Sequence, residues 1–177
     1  TVEALARVHQ EYLERGAIEG AVRAAFWLGM SLLGKGEHPR AGGWLMRGQR
    51  LLEENKRECV EQGYLLFPVA LRSLLGGNPS SAVGILHEAV AIGSRFGDRS
   101  LVTLARQGLG RALIHMGDTA TGVALLDEAM ASMEAGDVSP LIAGNVYCSV
   151  IEACSELYDI RRAQEWTGSL SRWCEAQ

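Results

Sequence analysis

The sequence predicts an all-α fold, an α-solenoid of helix-turn-helix units, and three observations predict it. A turn signature recurs at a near-constant interval. Gly36-Glu37-His38-Pro39-Arg40-Ala41, Gly77-Asn78-Pro79-Ser80-Ser81-Ala82, Gly117-Asp118-Thr119-Ala120-Thr121-Gly122 and the looser Tyr158-Asp159-Ile160-Arg161-Arg162-Ala163 open at positions 36, 77, 117 and 158, in steps of 41, 40 and 41 residues. Self-similarity at such a period marks a stacked repeat. Between the turns, apolar residues fall at three- and four-residue spacing, as in Ala82-Val83-x-x-Leu86-x-x-Ala89-Val90, the stripe of an amphipathic helix. Sustained alternation and Asn-Gly hairpins are missing, so there is no strand signal.

Nine helices follow in order, at about 2–15, 18–34, 39–54, 57–75, 79–95, 99–116, 119–134, 140–157 and 160–175. The first looks like the second helix of an upstream unit and stops at Gly16. The residue opening each turn is mostly Gly, because a helix C-terminus often needs a left-handed residue. Asn78, Asp118 and Asp159 are placed to cap the next helix, and Pro39 and Pro79 suit its first turn, where a missing N–H costs nothing. Pro68 predicts a kink in the fourth helix or a break that shortens it. Gly97-Asp98 separates the fifth and sixth helices. After Gly136, Ser139 is expected to cap the eighth helix, with Pro140 at its first position. Small residues at 29, 70 and 110 and at 41, 82 and 122 allow paired helices to approach, and Leu45, Leu86 and Leu126 fill the space between them.

The composition sets limits. The chain has 177 residues, 47% of them hydrophobic, enough for the core of one domain and too apolar for a disordered linker. It is read as a single domain over 1–177 with units at about 22–62, 63–102, 103–143 and 144–177. The net charge of −4 argues against direct nucleic-acid binding, which calls for a clustered basic surface. The longest apolar run, Tyr64 to Leu71, is far short of the roughly 20 residues of a membrane span. No signal peptide opens the chain. Cys59, Cys148, Cys154 and Cys174 form no CxxC pair and read as reduced thiols of a cytoplasmic protein. Thr1 in place of a methionine, and Trp173 still on a helical stripe near Gln177, read as cuts through a longer protein. Ends cut in this way make self-association into a homo-oligomer a further expectation.

The pattern resembles the tetratricopeptide repeat. Leu28-Gly29, Gly36, Ala41 and Leu45 fit that family's order of residues, as do Leu109-Gly110, Gly117, Leu126 and Ala129. The period of 40–41 exceeds the family's 34, and Glu53 and Glu134 stand where its closing proline belongs. Longer, looser repeats of this kind are similar to the helical-repeat regions of bacterial transcriptional regulators of the MalT and LuxR type. Phe26-Trp27-Leu28-Gly29-Met30 through Ala41-Gly42-Gly43-Trp44-Leu45, Leu125-Leu126-Asp127-Glu128-Ala129-Met130 and Val146 to Cys154 carry that resemblance. It implies a right-handed superhelix serving as a non-catalytic protein-interaction or ligand-sensing surface. A general peptide-binding scaffold unrelated to transcription, and an enzyme with an unrecognised site, are the alternatives.

Catalytic, metal and cofactor chemistry is not expected. Gly29-Met30-Ser31-Leu32-Leu33-Gly34-Lys35-Gly36 lacks the closing Ser or Thr of a phosphate loop, and the repeat puts Gly29 inside a helix. His9, His38, His87 and His115 are scattered, with no zinc-ligand spacing. The methionines and Trp27, Trp44, Trp166 and Trp173 are read as core filling and interhelix anchors. The expected site is the inner wall made by each pair's first helix. Its residues are Arg23, Phe26, Met30 and Leu33, then Tyr64, Phe67, Leu71 and Leu74, then Leu104, Gln107, Arg111 and His115, then Asn145, Cys148, Glu152 and Ser155. The expected occupant is a protein or peptide segment, or a small effector. It would rest on Phe26, Tyr64 and Phe67, with Arg111, Gln107 and Asn145 holding carboxylate or backbone groups. A neighbouring part of a longer solenoid is the other candidate to cover the apolar stretch.

Overall fold

A computed structural model describes residues 2–136 and 138–176. Thr1 and Gln177, the two ends read as cuts, lie outside the described residues, as does Asp137. The described residues form nine α-helices and no strand: α1 (Val2–Glu14), α2 (Ile18–Leu33), α3 (His38–Asn55), α4 (Glu61–Leu75), α5 (Pro79–Phe96), α6 (Arg99–His115), α7 (Thr119–Glu134), α8 (Pro140–Glu156) and α9 (Ile160–Glu175). The fold is therefore an all-α helical repeat. The chain packs as two compact units, Thr1–Val69 and Ala70–Gln177, with the boundary inside α4.

The turns obey the chemistry of helix ends. Gly36, Gly77 and Gly117 sit at φ of +74°, +77° and +91°, a region closed to most side chains. Asn78, Asp118 and Asp159 accept hydrogen bonds from the backbone N–H of Ser81, Thr121 and Arg162, and Asp98 does the same for Leu101. Each such cap satisfies an amide that the first helical turn leaves free. Two expectations fail. Ser139 makes no side-chain cap; its own N–H instead donates to Ser100 Oγ at 3.0 Å. The fourth helix begins at Glu61 rather than 57, because Lys56 turns left-handed at φ +48° and residues 57–60 are spent on the reversal. Of the two outcomes expected at Pro68, a kink or a break, the break does not occur: α4 runs through it to Leu75.

In the first unit, α1 packs on α2 and α2 on α3. Val22, Leu52 and Cys59 form a buried cluster, with Ile18, Leu51 and Leu65 against it. In the second, α5 packs on α6, α6 on α7, and α8 on α9, α6 and α7. Leu86, Leu101, Leu104, Met130, Ile142 and Val146 are its largest fully buried side chains. The small residues do allow close approach. A methyl group on Gly29 would lie 2.6 Å from Leu45, and one on Gly122 would lie 2.6 Å from the carbonyl oxygen of Gly110. The methionines divide against expectation. Met130 and Met133 are core, whereas Met46 on α3 and Met116, the residue that closes α6, are exposed.

Candidate functional site

The first unit gathers its predicted residues around one ion pair. Arg23 on α2 donates through Nη2 to Oε1 of Glu61 on α4 at 2.9 Å, and its guanidinium carbon lies 3.6 Å from the Tyr64 ring centroid. A buried carboxylate is costly unless paired, and Glu61 is buried; the cation answers it while also stacking on the ring. Phe26 meets Tyr64 edge-on at 5.3 Å and Trp27 at 4.9 Å. These aromatics do not form a groove wall. Phe26 and Tyr64 are 0% exposed and Phe67 is 5% exposed, so all three are core residues. An aromatic on the face between two stacked helices gains more by packing than by facing water. Met30 and Leu33 stay half-buried.

In the second unit the predicted residues separate by depth. Leu71 and Leu74 are half-buried, Leu104 and Gln107 are buried, and His115 is exposed. Gln107, expected on the wall, donates instead to Ser149 Oγ on α8. Arg111 lies one turn further along α6. It donates to the Ser149 carbonyl at 3.3 Å and to Glu156 Oε1 at 2.9 Å. The Arg111 side chain is 14% exposed and that of Glu156 49%. Beside this pair, α8 presents Asn145, Cys148 and Glu152, all exposed, at the three- and four-residue spacing that keeps side chains on one helix face. Ser155 is exposed and bonds back to its own helix at Ile151.

Two clefts lie elsewhere. One of about 510 Å³ opens beside the α3–α4 connection, floored by Leu52, Leu65 and Leu66. The other, about 330 Å³, lies among α5, α6 and α7. Its residue Arg106 pairs with Glu128 at 3.4 Å. The buried thiols are poor nucleophiles. Burial, then the hydrogen bond and charge of Glu61, push Cys59 up to about 11, and burial also raises Cys154. Among the described residues no three His, Cys, Asp or Glu side chains converge as metal ligands, and no helix is long and apolar enough to cross a membrane.

Glu61, Ser149 and Glu156 are partners the motif reading missed. A signal for two of them exists in the sequence. Arg23 and Glu61 are 38 residues apart, and so are Arg111 and Ser149. That interval falls two or three residues short of the repeat period of 40–41. Side chains reaching obliquely from one first helix to the next therefore meet at this lag. No family model, curated protein or solved structure matches the chain.

Proposed function

We propose that the chain is a non-catalytic protein-interaction region of a cytoplasmic bacterial regulator of the LuxR type, binding an extended protein or peptide segment on the α6–α8 face. The observation that carries this reading is the exposed row Asn145, Cys148 and Glu152 beside Arg111. Its polar groups suit backbone amides, and Arg111 suits a carboxylate. Glu156 holds the guanidinium in place until a ligand carboxylate competes for it. The regulator part rests on the resemblance of residues 26–45, 125–130 and 146–154 to that family. A helix-turn-helix encoded downstream in the same reading frame is its expected companion, and a downstream frame without one favours the general peptide-binding scaffold.

The test is a peptide selection from a random library against the purified chain, followed by fluorescence anisotropy on the enriched peptides. Arg111→Glu and Glu152→Arg are each expected to weaken binding about tenfold or more, the loss of one charge-assisted bond plus repulsion. Glu152→Arg, on the exposed face, should leave helical circular dichroism and the melting temperature unchanged, whereas Arg111→Glu also breaks the ties of α6 to Ser149 and Glu156 on α8 and should lower the melting temperature. Equal affinity in wild type and both variants would remove the assignment to this face.

A further inference from the structure

His9 is the buried residue of α1, 1% exposed, and both of its ring nitrogens are engaged. Nδ1 lies 2.7 Å from the carbonyl oxygen of Ala21 on α2. A carbonyl can only accept, so Nδ1 carries the proton. Nε2 is then a lone pair, and it accepts the Nε–H of Arg47 on α3 at 3.0 Å. The ring also meets Trp44 edge-on at 5.1 Å, and the Arg47 guanidinium carbon lies 5.7 Å from the same indole. One neutral imidazole thus ties three helices together.

The charged surroundings are one-sided. Arg47 on α3 is the ionic group that acts on the ring, while α2 meets it with the Ala21 carbonyl. Arg7, Glu11, Glu14 and Arg15 on α1 itself are exposed, as are Arg40 and Arg50 on α3; Arg47 is exposed too, but its Nε reaches the ring. Of the remaining charges on α2, Arg23 is held by Glu61, and Glu19 lies 3.7 Å from Arg57. A second proton on His9 would turn Nε2 into a donor facing another donor and set two cations side by side.

We propose that His9 is an acid-sensitive latch that holds α1 on the α2–α3 hairpin at neutral pH and releases it as the ring is protonated. The surface uncovered is the small-residue side of α2. There Tyr12 of α1 covers Gly20 so closely that a methyl group would lie 2.6 Å from its ring, and Ala17 N–H donates to the Tyr12 carbonyl. The sign follows from linkage. Burial, reinforced by Arg47, lowers the folded pKa below 6.5 against the weaker opposing effect of the Ala21 bond. The docked state therefore binds protons less readily than the open one, so docking is complete above about pH 6.5 and weakens as pH falls through that value.

Hydrogen exchange of the whole chain, expressed as protection factors, tests this at about pH 7.5 and about pH 5.5. Protection of the α1 amides should fall several-fold at the lower pH, as linkage requires of a docked state that binds the proton more weakly, while α6 and α7 keep theirs. Arg47→Gln removes the facing cation and should move α1 opening to lower pH. His9→Gln, whose amide can reproduce both bonds without titrating, should abolish the response. Unchanged α1 protection in wild type, or an undiminished response in His9→Gln, overturns the latch.

Discussion

Tyr158 occupies the turn position that three other repeats give to glycine. Its φ is +57°, and its side chain is 87% exposed. The left-handed backbone costs a residue with a Cβ roughly 1–2 kcal/mol, and the ring recovers little of this by packing. Tyr158→Gly relieves that strain at an entropic cost of about 0.5–1 kcal/mol in the unfolded chain. The net expectation is a gain of about 0.5–1 kcal/mol, read as a higher urea midpoint at unchanged slope. A lower midpoint would show that the tyrosine contributes more than its exposure suggests. The turn itself was legible from the repeat, because Asp159 caps the next helix whatever precedes it. The individual site residues were less legible. Periodicity placed Phe26, Tyr64 and Gln107 on the first-helix faces, but a face shared with a stacked neighbour is buried rather than open. His9 stands 38 residues before Arg47, the lag of the other contacts between repeats, but nothing in its own helix marks it as buried, since Ala21 and Arg47 matter only once three helices meet.

The helices show which glycines are structural and which are merely permitted. Gly110 and Gly122 form a backbone-to-backbone contact between α6 and α7, each leaving no room for a methyl group. Gly43 and Gly84 lie on helix surfaces, where a methyl group would have nothing within 4 Å. Gly122→Ala is therefore expected to destabilise by about 1–3 kcal/mol, the usual cost of forcing atoms into a packed seam. Gly84→Ala should stabilise by about 0.5–1 kcal/mol, because alanine loses less backbone entropy in a helix. Chemical denaturation of the two variants separates them by sign. The sequence pattern anticipated these seams because the small residues recur with the period. It did not anticipate the late start of α4. Lys56 is a left-handed stop without glycine, and no composition rule singles it out.

At the scale of the whole molecule, 21 acidic residues outweigh 17 basic ones, and some of the arginines are engaged by carboxylates. Arg23 answers Glu61, Arg111 answers Glu156, and Arg162 pairs with both Asp127 and Asp159. The excess of carboxylates opposes approach to a phosphate backbone, which binds through displacement of counterions by a clustered basic surface. A mobility-shift assay with random duplex DNA at low salt should show no retained complex; a salt-sensitive shift would contradict this. The chain divides into two compact units with the boundary inside α4, a division that the regular 40–41-residue beat does not announce. Local rules already make the chain helical, place every turn but the one at Lys56 closely, and mark which small residues permit close packing. These are local properties of periodicity, left-handed glycines and caps, acting over a few residues. Tertiary structure alone decided which faces are covered, and so which residues serve as core, as ion pair or as exposed contact. Burial depends on neighbours about forty residues away, whose identity a helix's own stripe does not encode.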